Sequence, residues 1–180
     1  MLKIVKDNVK SLREKSVAVD MPASEKELKL LNEMLDYLKK SQDDEYAKKH
    51  NMRAGVGLAA PQVGVNKRML VVYYKDEDNK EILHMLINPK IVASSIKTCY
   101  IHSGEGCLSV DVDHEGYVYR PYKVTIKAFD ASKMQDVTIV ARGFEAIVLQ
   151  HEIDHLNGVL YYDHIDKINP FKKEENSVEL

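Results

Sequence analysis

The stretch Phe144-Glu145-Ala146-Ile147-Val148-Leu149-Gln150-His151-Glu152-Ile153-Asp154-His155-Leu156 decides how this chain is read. Gly143 breaks the strand-like pattern before it, and Asn157-Gly158 is a good helix stop after it. The spacing predicts a helix over residues 144–156, with Phe144, Ile147, Val148 and His151 sharing one side. Positions i and i+4 of a helix lie one turn apart on the same face, so His151 and His155 point the same way.

Two imidazoles at that spacing can hold one divalent cation, and Glu152 between them is angled to move protons beside it. This is the pattern of a metal-dependent hydrolase. A chance match would leave His151 and His155 as ordinary histidines capped by nearby carboxylates.

Outward from this helix, strand-like runs precede it at Val137–Ala141, Val124–Phe129, Tyr117–Tyr119, Ile91–Ile101, Met85–Ile87 and Met69–Tyr74. Several alternate apolar and polar residues, as half-buried antiparallel strands do. Earlier still, residues 24–40 read as an amphipathic helix. Ser24 with Glu27 makes a capping box, and Leu28, Leu31, Leu35 and Leu38 build an apolar stripe. That stripe reads as core packing. The expected fold is α+β, with mostly antiparallel β-sheets packed around a central H-E-x-x-H helix and an N-terminal amphipathic helix. Residues 1–180 form a single catalytic domain, and about 166–180, with Pro170 and a polar end, read as a flexible C-terminal tail.

Composition removes several function classes. With a net charge of −2 there is no electrostatic case for tight nucleic-acid binding, and no direct nucleic-acid motif is present. Lys39-Lys40 and Lys48-Lys49 are offset by Asp43-Asp44-Glu45 and read as a solvated helix face. No apolar run reaches the length of a membrane span, and the N-terminus lacks a secretory apolar region. A cytoplasmic location is expected. Cys99 and Cys107 are too few for a disulfide framework.

A catalytic metal usually keeps three protein ligands and an open position. Cys107, framed by Gly104-Glu105-Gly106, is the leading third ligand because flanking glycines let the backbone turn and present the sulfur. Cys99, in a strand-like run, reads as a small core residue. The segment Gly55-Val56-Gly57-Leu58-Ala59-Ala60-Pro61-Gln62-Val63-Gly64 lacks the spacing of phosphate-binding loops. It reads either as a turn into a strand or as a close-approach loop. In the second case Gln62 would donate to a developing oxyanion.

These three segments, Gly55–Gln62, Glu105-Gly106-Cys107-Leu108-Ser109 and Gln150–His155, resemble the three motifs of peptide deformylases, in the same order. The resemblance spans about residues 8–166. The longer segment between Asp36 and Arg53 and the non-helical C-terminus resemble the subclass common in Gram-positive bacteria. Leu12-Arg13 matches the N-terminal pattern, whereas Val9-Lys10 stands where a His-Pro is usual.

The resemblance implies removal of the formyl group from N-terminal formylmethionine of new bacterial proteins, releasing formate. It implies Cys107, His151 and His155 as metal ligands and Glu152 as general acid/base. Gln62 and the Leu108 N–H would stabilise the oxyanion. Backbone groups of Val56, Gly57 and Gly106 would hold the substrate, and Val56, Phe144, Ile147 and Val148 would form the methionine pocket. Iron(II) is the implied metal in the cell, with zinc, nickel or cobalt as replacements. The implied partners are N-formylmethionyl nascent peptides and the ribosome surface, with no membrane, for a monomer.

Two other readings use the same residues. A zincin-type endopeptidase would draw its third ligand from Asp163, His164 or Asp166. A structural metal module would need four protein ligands, with Cys99 as the fourth.

Overall fold

Ser24 starts the first helix as its sequence predicts. Its side chain accepts from the Glu27 N–H, and Glu27 Oε2 accepts from the Ser24 N–H at 2.7 Å, so two orphan donors are satisfied. Helix α1 then runs Glu25–Ser41. Its buried face centres on Leu31, Met34 and Leu38, with Leu28 and Leu35 packed beside them. A second helix, α2 (Asp44–His50), is capped by Asp43 and ends at Asn51 in the left-handed region. No residue of α2 is buried, and its sequence carries no apolar stripe to announce it. The computed structural model describes residues 2–180.

The main sheet has five strands: β1 (Gly57–Ala59), β2 (Met69–Lys75), β3 (Glu81–Ser94), β6 (Lys123–Asp130) and β7 (Gln135–Arg142). They lie in the order β1-β2-β3-β6-β7, all antiparallel. A smaller sheet holds β4 (Thr98–Tyr100) between β5 (Arg120–Pro121) and β8 (Val178–Glu179).

Side chains alternate across the main sheet, as a two-residue period requires. Met69, Val71, Met85 and Ile87 face α1 in one apolar cluster. Leu70, Val72, Leu86, Val124 and Ile126 face helix α3 (Gly143–Leu156) in another. Helix α3 is buried along most of its length, which explains why its apolar residues are not confined to one stripe. On its far side, Gln150 Nε2 donates to the Pro121 carbonyl of β5 at 3.0 Å. The α+β architecture around a central helix is as expected. Among the described residues no helix is long and apolar enough to cross a membrane.

Two expectations need correction. The runs Met85–Ile87 and Ile91–Ile101 are not two strands. Strand β3 is continuous through Asn88-Pro89, with register shifts there, and β4 is a separate short piece. Pro89 cannot donate to the ladder, and Asn88 takes a φ of 52° while its side-chain amide holds both the N–H and C=O of Val19. Tyr117–Tyr119 is not a strand. Its rings pack in an aromatic group instead, Tyr117 lying 4.5 Å from Tyr100 in a tilted pair and 5.4 Å from Phe171 edge-on, between centroids.

Residues 166–180, expected as a flexible tail, are non-helical, and part of the segment pairs with the small sheet. Val178–Glu179 pairs parallel with Cys99–Tyr100, and Pro170 and Lys172 carbonyls accept from the Tyr117 N–H and the Tyr119 hydroxyl. A two-residue strand acquires its meaning only from its partner, which the local sequence does not show.

Candidate metal centre and substrate cleft

Cys107 Sγ, a ring nitrogen of His151 and one of His155 lie within 4.8 Å of one another. Helix α3 supplies the two histidines from successive turns, and the loop between β4 and β5 brings Cys107 over them. The Cys107 Sγ to His155 Nε2 distance is 3.3 Å, and the Ser109 N–H approaches the same sulfur at 3.4 Å.

One thiolate and two imidazoles form a borderline-soft donor set suited to a first-row divalent metal. A second observation fits a cation here. Glu152 Oε2, a buried carboxylate oxygen beside this donor set, has no hydrogen-bond partner in the protein, and an unpaired buried polar atom calls for an explanation.

Glu152 is 4% exposed, and burial pushes its carboxyl up to about 7. It sits under β1 so closely that a Cβ on Gly57 would fall 2.3 Å from Glu152 Oε1. Gly57 is therefore required for contact, in a strand whose backbone conformation any residue can adopt. Gly55 has the same character toward Leu108, whose Cδ1 would lie 2.7 Å from an added Cβ.

Gln62 follows β1 in a short 3-10 turn that begins Ala60-Pro61. Its Oε1 accepts from the Ala59 N–H at 2.8 Å, which fixes the amide orientation. Its Nε2 then donates to Ser109 Oγ at 3.2 Å and faces Cys107 Sγ at 3.5 Å. The donor end of a buried, uncharged amide thus points at the ligand cluster.

These groups stand at one end of a cavity of about 260 Å³. Val56, Phe144, Ile147 and Val148 line its apolar part, while Gly57, Gly106, Cys107, Leu108, His151 and Glu152 line the polar part. All residues expected at the site from the sequence except His155 border this cavity. His155 lies beneath, 1% exposed, within the ligand cluster. Gly55 borders it as well, and so do Arg53, Ala54 and Ile101, which were not anticipated.

A buried polar chain supports the cluster from behind. His151 Nδ1 donates to Glu105 Oε2 at 2.8 Å, which turns His151 Nε2 toward the cluster. Arg120 grips Glu105 with both Nε (2.6 Å) and Nη2 (3.0 Å), and its Nη1 reaches Asp154 Oδ2 at 2.8 Å. His164 Nε2 ends the chain on the same Asp154 oxygen.

Burial alone would raise the Glu105 carboxyl. The hydrogen bond from His151 and the Arg120 charge outweigh it and hold Glu105 down to about 2. His151 is pulled down by burial, yet its bonds to Cys107 and Glu105 set it well above the ordinary imidazole range. Sequence reasoning had used Glu105 only for its glycine frame. Its side-chain role had one local signal, a carboxylate between two glycines beside a candidate ligand; Arg120 had none.

The alternative ligands are engaged elsewhere. Asp163 pairs with Arg13, His164 with Asp154, and Asp166 caps the N–H groups of Ile168 and Asn169. Cys99 is fully buried in β4, and burial raises its thiol to about 11. Among the described residues the Cys107–His151–His155 group is the one with metal-ligand proximity, and it has no fourth protein member. That is the open arrangement of a catalytic site rather than a closed structural one.

The family model for polypeptide deformylase matches residues 1–171. Peptide deformylase 2 of Bacillus subtilis is 46% identical over 180 residues, covering 100% of this chain and 97% of the relative. The peptide deformylase of Macrococcus caseolyticus is 45% identical over 99% of this chain and 97% of its own. Among solved structures, the peptide deformylase of Ehrlichia chaffeensis superposes with a TM-score of 0.75 at 33% identity, covering 94% of this chain and 90% of that one. With whole-length relatives and a metal-binding Cys-His-His cluster beside a buried glutamate, the chain belongs to the peptide deformylase family, enzymes that remove the formyl group from N-terminal methionine.

Proposed function

We propose that deformylation in this chain is carried by the residues of the cleft in separate roles. The observation that supports this is the placing of Glu152, buried and lacking a partner at Oε2, beside the three-ligand cluster at the end of an apolar cavity.

In this reading Cys107, His151 and His155 hold one divalent cation, iron(II) in the cell, with zinc, nickel or cobalt able to replace it. When bound, the cation supplies Lewis acidity and makes water a better nucleophile near neutral pH. The thiolate also makes the iron form sensitive to oxidation.

Val56, Phe144, Ile147 and Val148 seat the methionine side chain, an apolar group for an apolar wall. Backbone groups of Val56, Gly57 and Gly106 hold the following residues extended. Glu152 takes a proton from the attacking water as the formyl carbon is approached. The oxyanion that forms accepts from Gln62 Nε2 and the Leu108 N–H; the rigid Gln62 amide costs no reorganisation at that moment. Glu152 then returns the proton to the leaving amine, and formate departs. Burial raises the Glu152 carboxyl above the ordinary carboxylate range, the direction that helps it hand the proton on to the leaving amine.

The substrates are N-formylmethionyl nascent peptides in the cytoplasm, met at the ribosome surface by a monomer. The test is formate release from formyl-Met-Ala-Ser by protein loaded anaerobically with iron(II) or with nickel. Release that depends on metal and disappears in Glu152→Ala supports the assignment. Metal-loaded protein that yields no formate overturns it.

A further inference from the structure

The sheet face that α1 covers at β2 and the first half of β3 is bare over β6, β7 and the end of β3. Lys90, Lys123, Lys127 and Arg142 all stand on this bare face, and all are exposed. They are register partners: Lys90 lies opposite Lys127, and Lys123 opposite Arg142. Among the described residues none of the four makes an ion pair; the lysine–carboxylate pairs of this protein involve other lysines. Asp136 is the one carboxylate in the outward row of β7, and it sits opposite Phe129 rather than a cation.

Like charges placed directly across strands destabilise a sheet. Two such pairs on one face, in a chain whose net charge is −2, run against local stability and against the average charge of the surface. Local conflicts of this kind concentrate where a protein has a functional use for them. A polyanion laid on the face relieves both pairs at once.

We propose that this face is a docking surface for the phosphate backbone of RNA. Lys123 and Lys127 are four residues apart on β6, a span of roughly 13 Å. The two cation pairs stand at the two ends of that span, so a nucleic-acid backbone laid along β6 meets one pair at each end. Thr125 and Thr138, on the same outward rows, offer hydroxyl donors to phosphate oxygens. A membrane surface is the poorer match, because peripheral binding needs several large apolar side chains to insert beside the charges, and on the outward rows of β6 and β7 Val140 is the exposed one, with Phe129 partly covered and threonines between the cations. The contact is backbone-directed, weak and salt-labile. That agrees with a net charge that argues against tight nucleic-acid binding.

The catalytic helix packs on the opposite face of the sheet, so the cleft and the basic face are separate. The deformylation reading supplies which RNA the enzyme would meet, namely that of the ribosome. The binding itself is measurable without it.

The experiment is anisotropy of a fluorescein-labelled single-stranded RNA about a dozen nucleotides long, titrated with metal-loaded protein over a range of salt. Binding at low salt, with log K falling against log salt at a slope of about −3 for four contacts, is expected. A variant combining Lys90→Gln, Lys123→Gln, Lys127→Gln and Arg142→Gln should lose at least ~10-fold in affinity and most of the salt slope. Its formate release from a formylated tripeptide should be unchanged, which also shows that it folds. Lys127→Gln alone should reduce the slope by about 0.7. RNA binding absent at low salt, or equal in the four-site variant, overturns the proposal. Stronger binding to phosphatidylglycerol vesicles or to polyglutamate than to RNA, lost in the same variant, overturns it in favour of a membrane or an acidic protein.

Discussion

Gly57 and Glu152 touch so closely that strand β1 acts as the roof of the glutamate's pocket: an added Cβ would stand 2.3 Å from Oε1 and 2.7 Å from Cδ. Backbone conformation does not require glycine there, because Gly57 is not among the glycines with positive φ. The requirement is space beside the proton-transferring group.

Gly57→Ala should therefore move Glu152 or lift β1. Misplacement of a reacting group by about 1 Å can cost ~100-fold, and a loss of that order in kcat/KM is expected. Metal content, read by atomic absorption, should stay near one per chain because the ligands lie elsewhere. Full activity in this variant would show that β1 yields without disturbing Glu152.

Glu152→Gln keeps the size of the side chain and removes its basicity. General acid–base catalysis typically contributes ~10²–10⁴ in rate, so formate release should fall by that range while metal stays bound. Retained turnover with metal content confirmed would move the proton transfer to another group.

Much of this site is legible in the chain before folding, and the reason is local. His151, Glu152 and His155 are placed by helical period, and Cys107 is favoured over Cys99 by its glycine frame. Ser24 and Glu27 announce α1 because both halves of the capping box lie within one turn. The polar chain from His151 through Glu105 and Arg120 to Asp154 and His164 is not legible. Its links join residues 46, 15, 34 and 10 positions apart. No periodicity encodes such pairs; they exist once the β4–β5 loop folds over α3. The Asn88-Pro89 irregularity hid in the same way, since its compensation comes from Val19.

Glu152 also sets a pH dependence with a definite sign. Its carboxyl is raised to about 7 by burial in the metal-free protein. Only the ionised form accepts a proton, so basicity is gained as pH rises through that value. A neighbouring divalent cation favours the ionised form and lowers the titration. In ¹³C spectra, the Glu152 carboxyl should titrate near 7 without metal and at lower pH with it, and the acid limb of kcat/KM should follow the metal-loaded value. A metal-free titration in the ordinary carboxylate range would refute the burial argument. In the metal-free protein the folded state holds this proton between the ordinary carboxylate pKa and about 7, whereas the unfolded chain has released it. Through this group alone, stability declines as pH rises across that window.

Gln62 offers a cleaner separation of structure from chemistry. Gln62→Glu keeps an oxygen to accept from the Ala59 N–H, the contact that fixes the turn, and removes the amide donor aimed at Cys107 and Ser109. Loss of one oxyanion donor typically costs ~10²–10³ in kcat, and KM for the formyl peptide should change far less. A KM effect with kcat intact would make Gln62 a binding residue instead.

The deepest test of the support behind the metal cluster is Glu105. With its pKa held to about 2, Glu105 stabilises the folded state above the ordinary carboxylate range, and that contribution is lost as pH falls from there toward 2. Glu105→Gln removes the acceptor that orients His151 and leaves Arg120, 4% exposed, with Asp154 as its remaining carboxylate partner. Loss of such an orienting partner typically weakens metal binding 10–100-fold. The variant should show a higher metal Kd by that factor and a lower Tm; because His151 loses a partner that favours its protonated form, the remaining affinity should fall off at lower pH on acidification than in the parent. His151 must shed its proton to bind metal, and the proton-favouring environment that Glu105 creates is balanced by the orientation it imposes. If metal affinity proves unchanged while Tm alone drops, Glu105 serves the packing of Arg120 and the orientation of His151 has another cause.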